Sequence, residues 1–290
     1  MGRVTERRRV IRIRDGVVST RPDTLVAEEP LEIRLDGKPL AITMRTPGDD
    51  FALAAGFLVS EGVLARADEL THIVYCAGAT GGEAGNGDGD GANTYNVVDV
   101  RLADGVPVPD ITLERNVYTT SSCGLCGKAS LDAVRTRTRW PLDTGPDTPV
   151  RIEPATLAAL PDRLRAAQRV FERTGGLHAA ALFTADGELL DIREDVGRHN
   201  AVDKIIGRAL QEGRLPLSSG VLMVSGRASF ELVQKAVMAG IPVLAAVSAP
   251  SSLAVDLAAE TGLTLIGFLR GSSMNVYAGA RRLAVDGAAG

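Results

Sequence analysis

The sequence predicts an α/β protein: a strand-rich N-terminal part with one core helix, followed by a three-layer α/β sheet. Three observations carry that reading. From Val221 onward, short apolar runs (Val221–Val224, Val243–Val247, Leu263–Phe268) alternate with helical stretches (Phe230–Met238, Leu253–Glu260), and strands apolar on both faces belong to a parallel sheet covered by helices. The first half is punctuated differently, by alternating runs around turns, as where Leu31–Leu35 and Leu40–Met44 flank Asp36-Gly37, a hairpin signal. Between them, Trp140–Pro149 is rich in Pro and Asp and reads as a linker. The expected domains are therefore residues 1–145, ending in a cysteine-bearing segment, and 146–290, the α/β unit.

The remaining elements follow in order. Val10–Ile13 is a strand. Asp49 and Asp50 supply negative charge to a helix N-terminus, and Phe51, Ala54, Ala55 and Leu58 recur at helical spacing until Gly62. Thr71–Cys76 and Thr94–Leu102 are strands, and His72 on the first of them reads as structural. Residues 77–93 are Gly, Ala, Asp and Asn for the most part and cannot bury enough apolar area to order themselves; their acids lack calcium-loop spacing. Ile111–Thr119 leads as a strand into the cysteines. A helix runs from Pro154 through Phe171 to Gly175-Gly176, Leu177–Thr184 and Leu189–Arg193 form a hairpin around Asp186-Gly187, and Asn200–Leu210 is a helix.

Composition narrows the function. With 45% hydrophobic and 23% charged residues in 290, the chain can bury a large core. A formal net charge of −4 argues against general nucleic-acid binding while allowing a local site for a small anion. Three cysteines make no disulfide framework and point to a reducing, cytoplasmic setting. The basic N-terminus has no apolar signal core behind it, and no apolar run has membrane-spanning length.

Two regions carry chemistry. Ser121 to Lys128 holds the pair Cys123-Gly124-Leu125-Cys126, and Ala129–Arg135 reads as a short helix, so Cys126 lies near an N-terminus that favours a thiolate. Lys128 adds positive charge, and the glycines permit close approach. A reactive pair, half of a zinc site, a structural disulfide or two small apolar residues all fit this local sequence. The second region is a set of strand-end loops: Ser225–Ser229 with Arg227, Ser248–Ser252, and Arg270–Ser273. Ligands bind beyond the carboxyl ends of such strands, and bare backbone, hydroxyls and Arg suit a phosphate-bearing ligand. The bland alternative makes each Ser a helix cap. Arg193 to Asn200, with Arg198 and His199, and His178 after two glycines, face the same expected crevice. No Walker loop or Gly-x-Gly-x-x-Gly is present.

Taken together, Glu29–Leu31, Arg45–Asp50, Ser121–Lys128, Thr174–His178, Arg193–Asp203, Ser225–Ser229 and Phe268–Ser273 closely resemble the FdhD family of sulfur carriers needed for active formate dehydrogenases. The resemblance covers nearly the whole chain and implies a cytidine-deaminase-like C-terminal fold. It implies sulfurtransferase activity: Cys123 takes persulfide sulfur from a cysteine desulfurase, with Cys126 as the second thiol, and passes it to the bis-guanine-dinucleotide molybdenum cofactor, for which a guanine nucleotide can stand in. The run Phe268, Leu269, Arg270, Gly271, Ser272 and Ser273 matches the segment assigned to that cofactor. Contacts from Arg227, Ser229, His178, Arg198 and His199 are expected from strand-end placement. Formate dehydrogenase is the implied acceptor and a homodimer the expected state, with no nucleic acid, membrane or resident metal. Deaminase chemistry is excluded, because His199 is followed by Asn200-Ala201 and the Cys-x-x-Cys lies upstream of it. A chaperone that binds the cofactor without transferring sulfur is the alternative.

Overall fold

A computed structural model describes residues 3–76, 95–107, 134, 138–142 and 150–285. The cysteine pair, the expected strand at 111–119, the whole 77–93 loop, the expected 129–135 helix apart from residue 134, and most of the linker lie outside the described residues.

Two antiparallel strands, β1 (Thr5–Arg14) and β2 (Val17–Val26), form a ribbon of their own around Asp15-Gly16. Both turn residues have positive φ, 51° and 78°, as a two-residue hairpin turn demands. Only Val10–Ile13 of this ribbon is legible in the sequence, since β2 carries Pro22 and little apolar alternation. The expected hairpin of β3 (Glu29–Leu35) and β4 (Lys38–Arg45) is present and joins β5 (Leu70–Tyr75) and β6 (Val97–Leu102) in a sheet ordered β4-β3-β6-β5. His72 is exposed on β5.

Helix α1 (Asp50–Ser60) is buried almost all round. The helical stretch expected over 154–171 divides into α2 (Pro154–Ala167) and α3 (Arg169–Thr174), because Gln168 takes a non-helical φ/ψ of −77°/80°. The second sheet contains β7 (His178–Phe183), β8 (Leu189–Asp195), β9 (Val221–Val224), β10 (Val243–Ala246), β11 (Thr264–Arg270) and β12 (Ser273–Ala278) in the order β12-β11-β10-β9-β7-β8. The parallel trio and the preceding hairpin expected from the sequence are both present, joined in one mixed sheet. Only β9, β10 and β11 run parallel; β7 is antiparallel to β8 and β9, and β12 to β11. Tight turns at Gly187 and Gly271 (φ 81° and 53°) return the chain beside the strand it has just left, which a parallel pairing cannot do.

Helices α4 (Arg198–Gln211), α5 (Phe230–Met238) and α6 (Ser252–Thr261) pack with one face of this sheet, where Leu182, Leu222, Leu244 and Leu265 join their apolar residues. On the other face Leu157, Leu160 and Leu164 of α2 meet Phe183, Met223 and Ile266. The first cluster continues without interruption into Leu31, Ile33, Val98 and Val100 of the N-terminal sheet. That continuity runs through α1 and α4. They cross at Gly56 and Gly207, so close that a Cβ on Gly207 would lie 1.8 Å from the Ala52 carbonyl oxygen.

A second fastening is polar. Arg45, fully buried, donates to both oxygens of Asp50 at 3.0 Å, to Glu29 at 3.2 Å, to the Tyr95 carbonyl at 3.1 Å and to Asn96 at 3.2 Å. A planar guanidinium serves such a set and an ammonium does not. The Glu29 and Arg45–Asp50 blocks are thus architectural, tying β3, β4, α1 and the approach to β6.

Candidate functional site

Strand directions decide what meets at the sheet edge. Because β9, β10 and β11 run parallel and β7 runs against β9, the carboxyl ends of the parallel trio share an edge with the start of β7, the end of β8 and the start of β12. That edge therefore gathers His178, Asp195–His199, Ser225–Ser229, Ser248–Ser252 and Phe268–Ser273. The loops are tied to one another by main-chain bonds: Ala228 N–H to Ala249 O (3.2 Å), Ser251 N–H to Ala228 O (3.0 Å) and Phe268 N–H to Ser248 O (3.2 Å).

The serines divide by role. Ser251 is a cap, accepting from the Ala254 N–H at 3.3 Å, and Ser225 accepts from the Ala179 N–H at 2.9 Å. Ser229 stands at the start of α5 without capping it; its hydroxyl lies 3.3 Å from His199 Nε2. The bland reading holds for Ser251 and fails for Ser229.

The charged residues divide likewise. Arg193, Glu194 and Asp195 all serve the fold. Arg193 pairs with Asp49 (3.0 Å) and Asp191 (3.1 Å), and Glu194 accepts from the Val170 and Phe171 N–H groups at the start of α3. Asp195 is fully buried, 2.7 Å from Lys204. Arg198 is different: its Nε is buried and has no hydrogen-bond partner among the described residues. An unsatisfied buried guanidinium nitrogen is costly. Arg227 is exposed, and exposed Arg270 reaches back through Nε to the Val247 carbonyl at 3.3 Å.

Phe268 has φ of 51° at a bulge in the β11–β12 register, and the residue is 40% exposed. A bulky residue in the left-handed region is strained, and such strain concentrates at ligand sites. Leu269 points the other way, fully buried among Met223, Ile266 and their neighbours. It serves as core and presents no side chain to a ligand. Gly271, Ser272 and Ser273 are exposed at the turn. His178 lies beside bare backbone, since a Cβ on Gly226 would stand 3.5 Å from its Nδ1. Burial and the nearby Arg198 and His199 lower the His178 pKa, which keeps the ring neutral near pH 7.

Sequence reasoning missed Glu231. It is the second residue of α5, 2.7 Å from His199 Nε2, and the hydrogen bond from His199 holds its pKa below the ordinary 4.5. The signal was its spacing from Ser229. Beside it a small cavity of about 100 Å³ is lined by His199, Asn200, Glu231, Asp203, Lys235 and Phe57 among others, with Lys235 donating to both oxygens of Asp203 at 2.8 Å. A carboxylate with a depressed pKa adds stability that is present above pH 4.5 and lost as the pH falls through the depressed value. Glu231→Gln removes that contribution: acid titrations of unfolding should show wild type losing stability more steeply than the variant below about pH 4.5. Among the described residues no group of three His, Cys, Asp or Glu could hold a metal ion, and no helix is long and apolar enough to cross a membrane.

This edge and the sheets behind it are matched by a family model over residues 26–284, whose description is FdhD/NarQ family. The chain belongs to that family. A sulfur carrier protein FdhD from Streptomyces avermitilis is 81% identical over 289 residues, covering 100% of this chain and 99% of that protein. One from Mycobacterium tuberculosis is 58% identical over 283 residues, covering 98% and 100%. A crystal structure from Desulfotalea psychrophila, provisionally described as a formate dehydrogenase accessory protein, superposes with a TM-score of 0.72 at 24% identity. It covers 97% of this chain and 100% of the other, and at that identity it speaks for the FdhD/NarQ fold alone.

Proposed function

We propose that this chain is a cytoplasmic sulfur carrier serving a formate dehydrogenase. In this reading Cys123, as a thiolate, attacks the outer sulfur of a cysteine desulfurase persulfide. The S–S bond there breaks, the donor cysteine leaves as thiol, and Cys123 becomes a persulfide. Attack of the Cys126 thiol on the Cys123 sulfur then breaks the persulfide S–S bond, forms the Cys123–Cys126 disulfide and releases the outer sulfur at the sulfide level, which replaces an oxygen ligand of the molybdenum in the bis-guanine-dinucleotide cofactor, the substrate held at the sheet edge; that oxygen leaves as water. Arg198, Arg227 and Arg270 take phosphate, His178, His199, Ser229 and the Gly271–Ser273 turn supply neutral or donor contacts, and the half-exposed Phe268 ring offers a face for a guanine base.

The observation that carries the reading is the convergence of three strand-end loops on one edge around an Arg198 Nε that lacks a partner among the described residues. The names of close relatives, sulfur carrier protein FdhD, support the sulfur half of it. Titration with GDP as the probe tests the pocket. Replacing Arg198 and Arg227 by Met should weaken binding at least about tenfold, since each charged hydrogen bond contributes roughly 1.5–3 kcal/mol. Mass spectrometry after incubation with a desulfurase and cysteine tests the carrier. One added sulfur on wild type and none on Cys123→Ala is expected; equal loading of the variant would remove Cys123 from the role. A carrier that binds GDP and never loads sulfur would instead be a cofactor chaperone.

A further inference from the structure

At the sheet edge the His199 ring is held through one nitrogen only. Its Nε2–H donates to Glu231 at 2.7 Å, with the Ser229 hydroxyl 3.3 Å from the same nitrogen. Nδ1 has no hydrogen-bond partner among the described residues. His199 and Glu231 are each the second residue of a helix, α4 and α5, and their side chains are 22% and 38% exposed, so neither is sealed in the core. A carboxylate on one ring nitrogen with the other nitrogen open orients a histidine for proton transfer.

The surrounding charges leave Glu231 as the carboxylate that answers His199. Asp203, one turn along α4, is taken by Lys235, which donates to both of its oxygens at 2.8 Å, and Glu61 stands on the wall of the adjoining cavity. His178 is neutral near pH 7, and Arg198 adds positive charge. The competing use of Glu231 is structural, since a carboxylate in the first turn of α5 suits the helix dipole.

Transfer of sulfur from an anionic persulfide is one proton short. The Cys126 thiol brings one, and an oxygen ligand that leaves as water takes two. We infer that the His199 imidazolium supplies the second proton and that Glu231 is the positioning residue that holds the ring and balances its charge. The inference rests on the sulfur-transfer reading. Imidazolium, persulfide anion, thiol and oxygen ligand become imidazole, the Cys123–Cys126 disulfide, a sulfur ligand and water. The outer sulfur is reduced to sulfide as the Cys126 sulfur is oxidised into the disulfide, so the metal keeps its oxidation state.

Single-turnover transfer tests it. Carrier loaded with sulfur on Cys123 is mixed with saturating bis-guanine-dinucleotide molybdenum cofactor, and loss of the added sulfur is followed by quenched-flow mass spectrometry between about pH 6 and 9. Titration of the cysteines is common to wild type and Glu231→Gln and cancels in the ratio of their rates. Glu231 stays ionised throughout, because its pKa is held below 4.5. Removing a carboxylate in contact with the imidazolium should move the alkaline fall of the rate down by at least about one pH unit. Wild type should therefore be at least about tenfold faster at the alkaline end, with the ratio approaching one as the pH falls. Glu231→Asp, which keeps the charge, should lie between the two. His199→Gln should be slow at every pH, and His199→Gln/Glu231→Gln no slower than His199→Gln alone. A ratio indifferent to pH makes Glu231 a structural residue of α5 and overturns the inference, as does a double variant slower than His199→Gln. A wild type that binds GDP and never loads sulfur fails before the transfer step; that result removes the sulfur-transfer reading itself and this inference with it.

Discussion

Gly207→Ala is expected to cost at least about 3 kcal/mol and to lower the unfolding temperature steeply. The added methyl group would stand 1.8 Å from the Ala52 carbonyl oxygen and 2.6 Å from the Gly56 nitrogen, and Gly56 faces α4 in the same way, with a Cβ there 1.8 Å from the Asp203 carbonyl oxygen. Both obstacles are backbone, so no side chain can swing away. Relief requires α1 and α4 to part, which opens the core where Leu53, Leu58, Val202 and Ile206 meet and forfeits dispersion contacts along the whole crossing. Gly226→Ala is the control: its methyl group would meet nothing nearer than the His178 ring at 3.5 Å, an ordinary contact, so chemical denaturation should leave it within about 1 kcal/mol of wild type. Equal stability of Gly207→Ala and wild type would mean the helices do not cross as described.

This crossing also shows where sequence reading stopped. Gly56 and Gly207 sit inside runs that read as helical, 151 positions apart, and nothing local says that they face each other. Strand positions were legible because apolar runs bounded by turn residues mark burial, but burial carries neither order nor direction, so the pairing of the β7–β8 hairpin against β9 and the return of β12 beside β11 could not be read. The edge loops were legible through composition: Ser, Gly and Arg at successive strand ends have few uses other than caps and ligands, and the structure separates Ser251 from Ser229 on that ground. Charge was the least informative signal. Arg193, Glu194, Asp195, Arg198 and His199 stand within seven residues, and only hydrogen-bond partners reveal that the first three hold the fold, that His199 engages Ser229 and Glu231, and that the Arg198 Nε has no partner among the described residues. The β1–β2 ribbon was legible only at Val10–Ile13, because arginines interrupt its apolar alternation on both faces.

Asp195 is the joint between scaffold and site, and replacing it should be among the most damaging single changes. One carboxylate oxygen lies 2.7 Å from Lys204 Nζ and accepts from the Thr46 N–H at 3.2 Å; the other accepts from the Gly197 N–H at 2.8 Å and from Asn200 at 2.9 Å. Lys204 also donates to the Thr46 carbonyl at 3.1 Å, and the Thr46 hydroxyl accepts from the Val196 N–H at 3.1 Å. The network thus clamps the β4–α1 turn to the turn that delivers Arg198 and His199. Asp195→Asn keeps the shape but strands the Lys204 ammonium, 2% exposed, without a counter-charge, at a cost of about 3–5 kcal/mol. Because the same turn holds Arg198, GDP binding should weaken in the folded fraction as well. The double variant Asp195→Asn/Lys204→Met removes both charges, and burying none costs far less than burying one. It should recover more than half of the lost stability while GDP affinity stays reduced, since the turn has still lost its anchor. Recovery of both would make Asp195 a matter of charge balance alone; recovery of neither would mean that its hydrogen bonds to Thr46, Gly197 and Asn200, rather than Lys204, carry the effect.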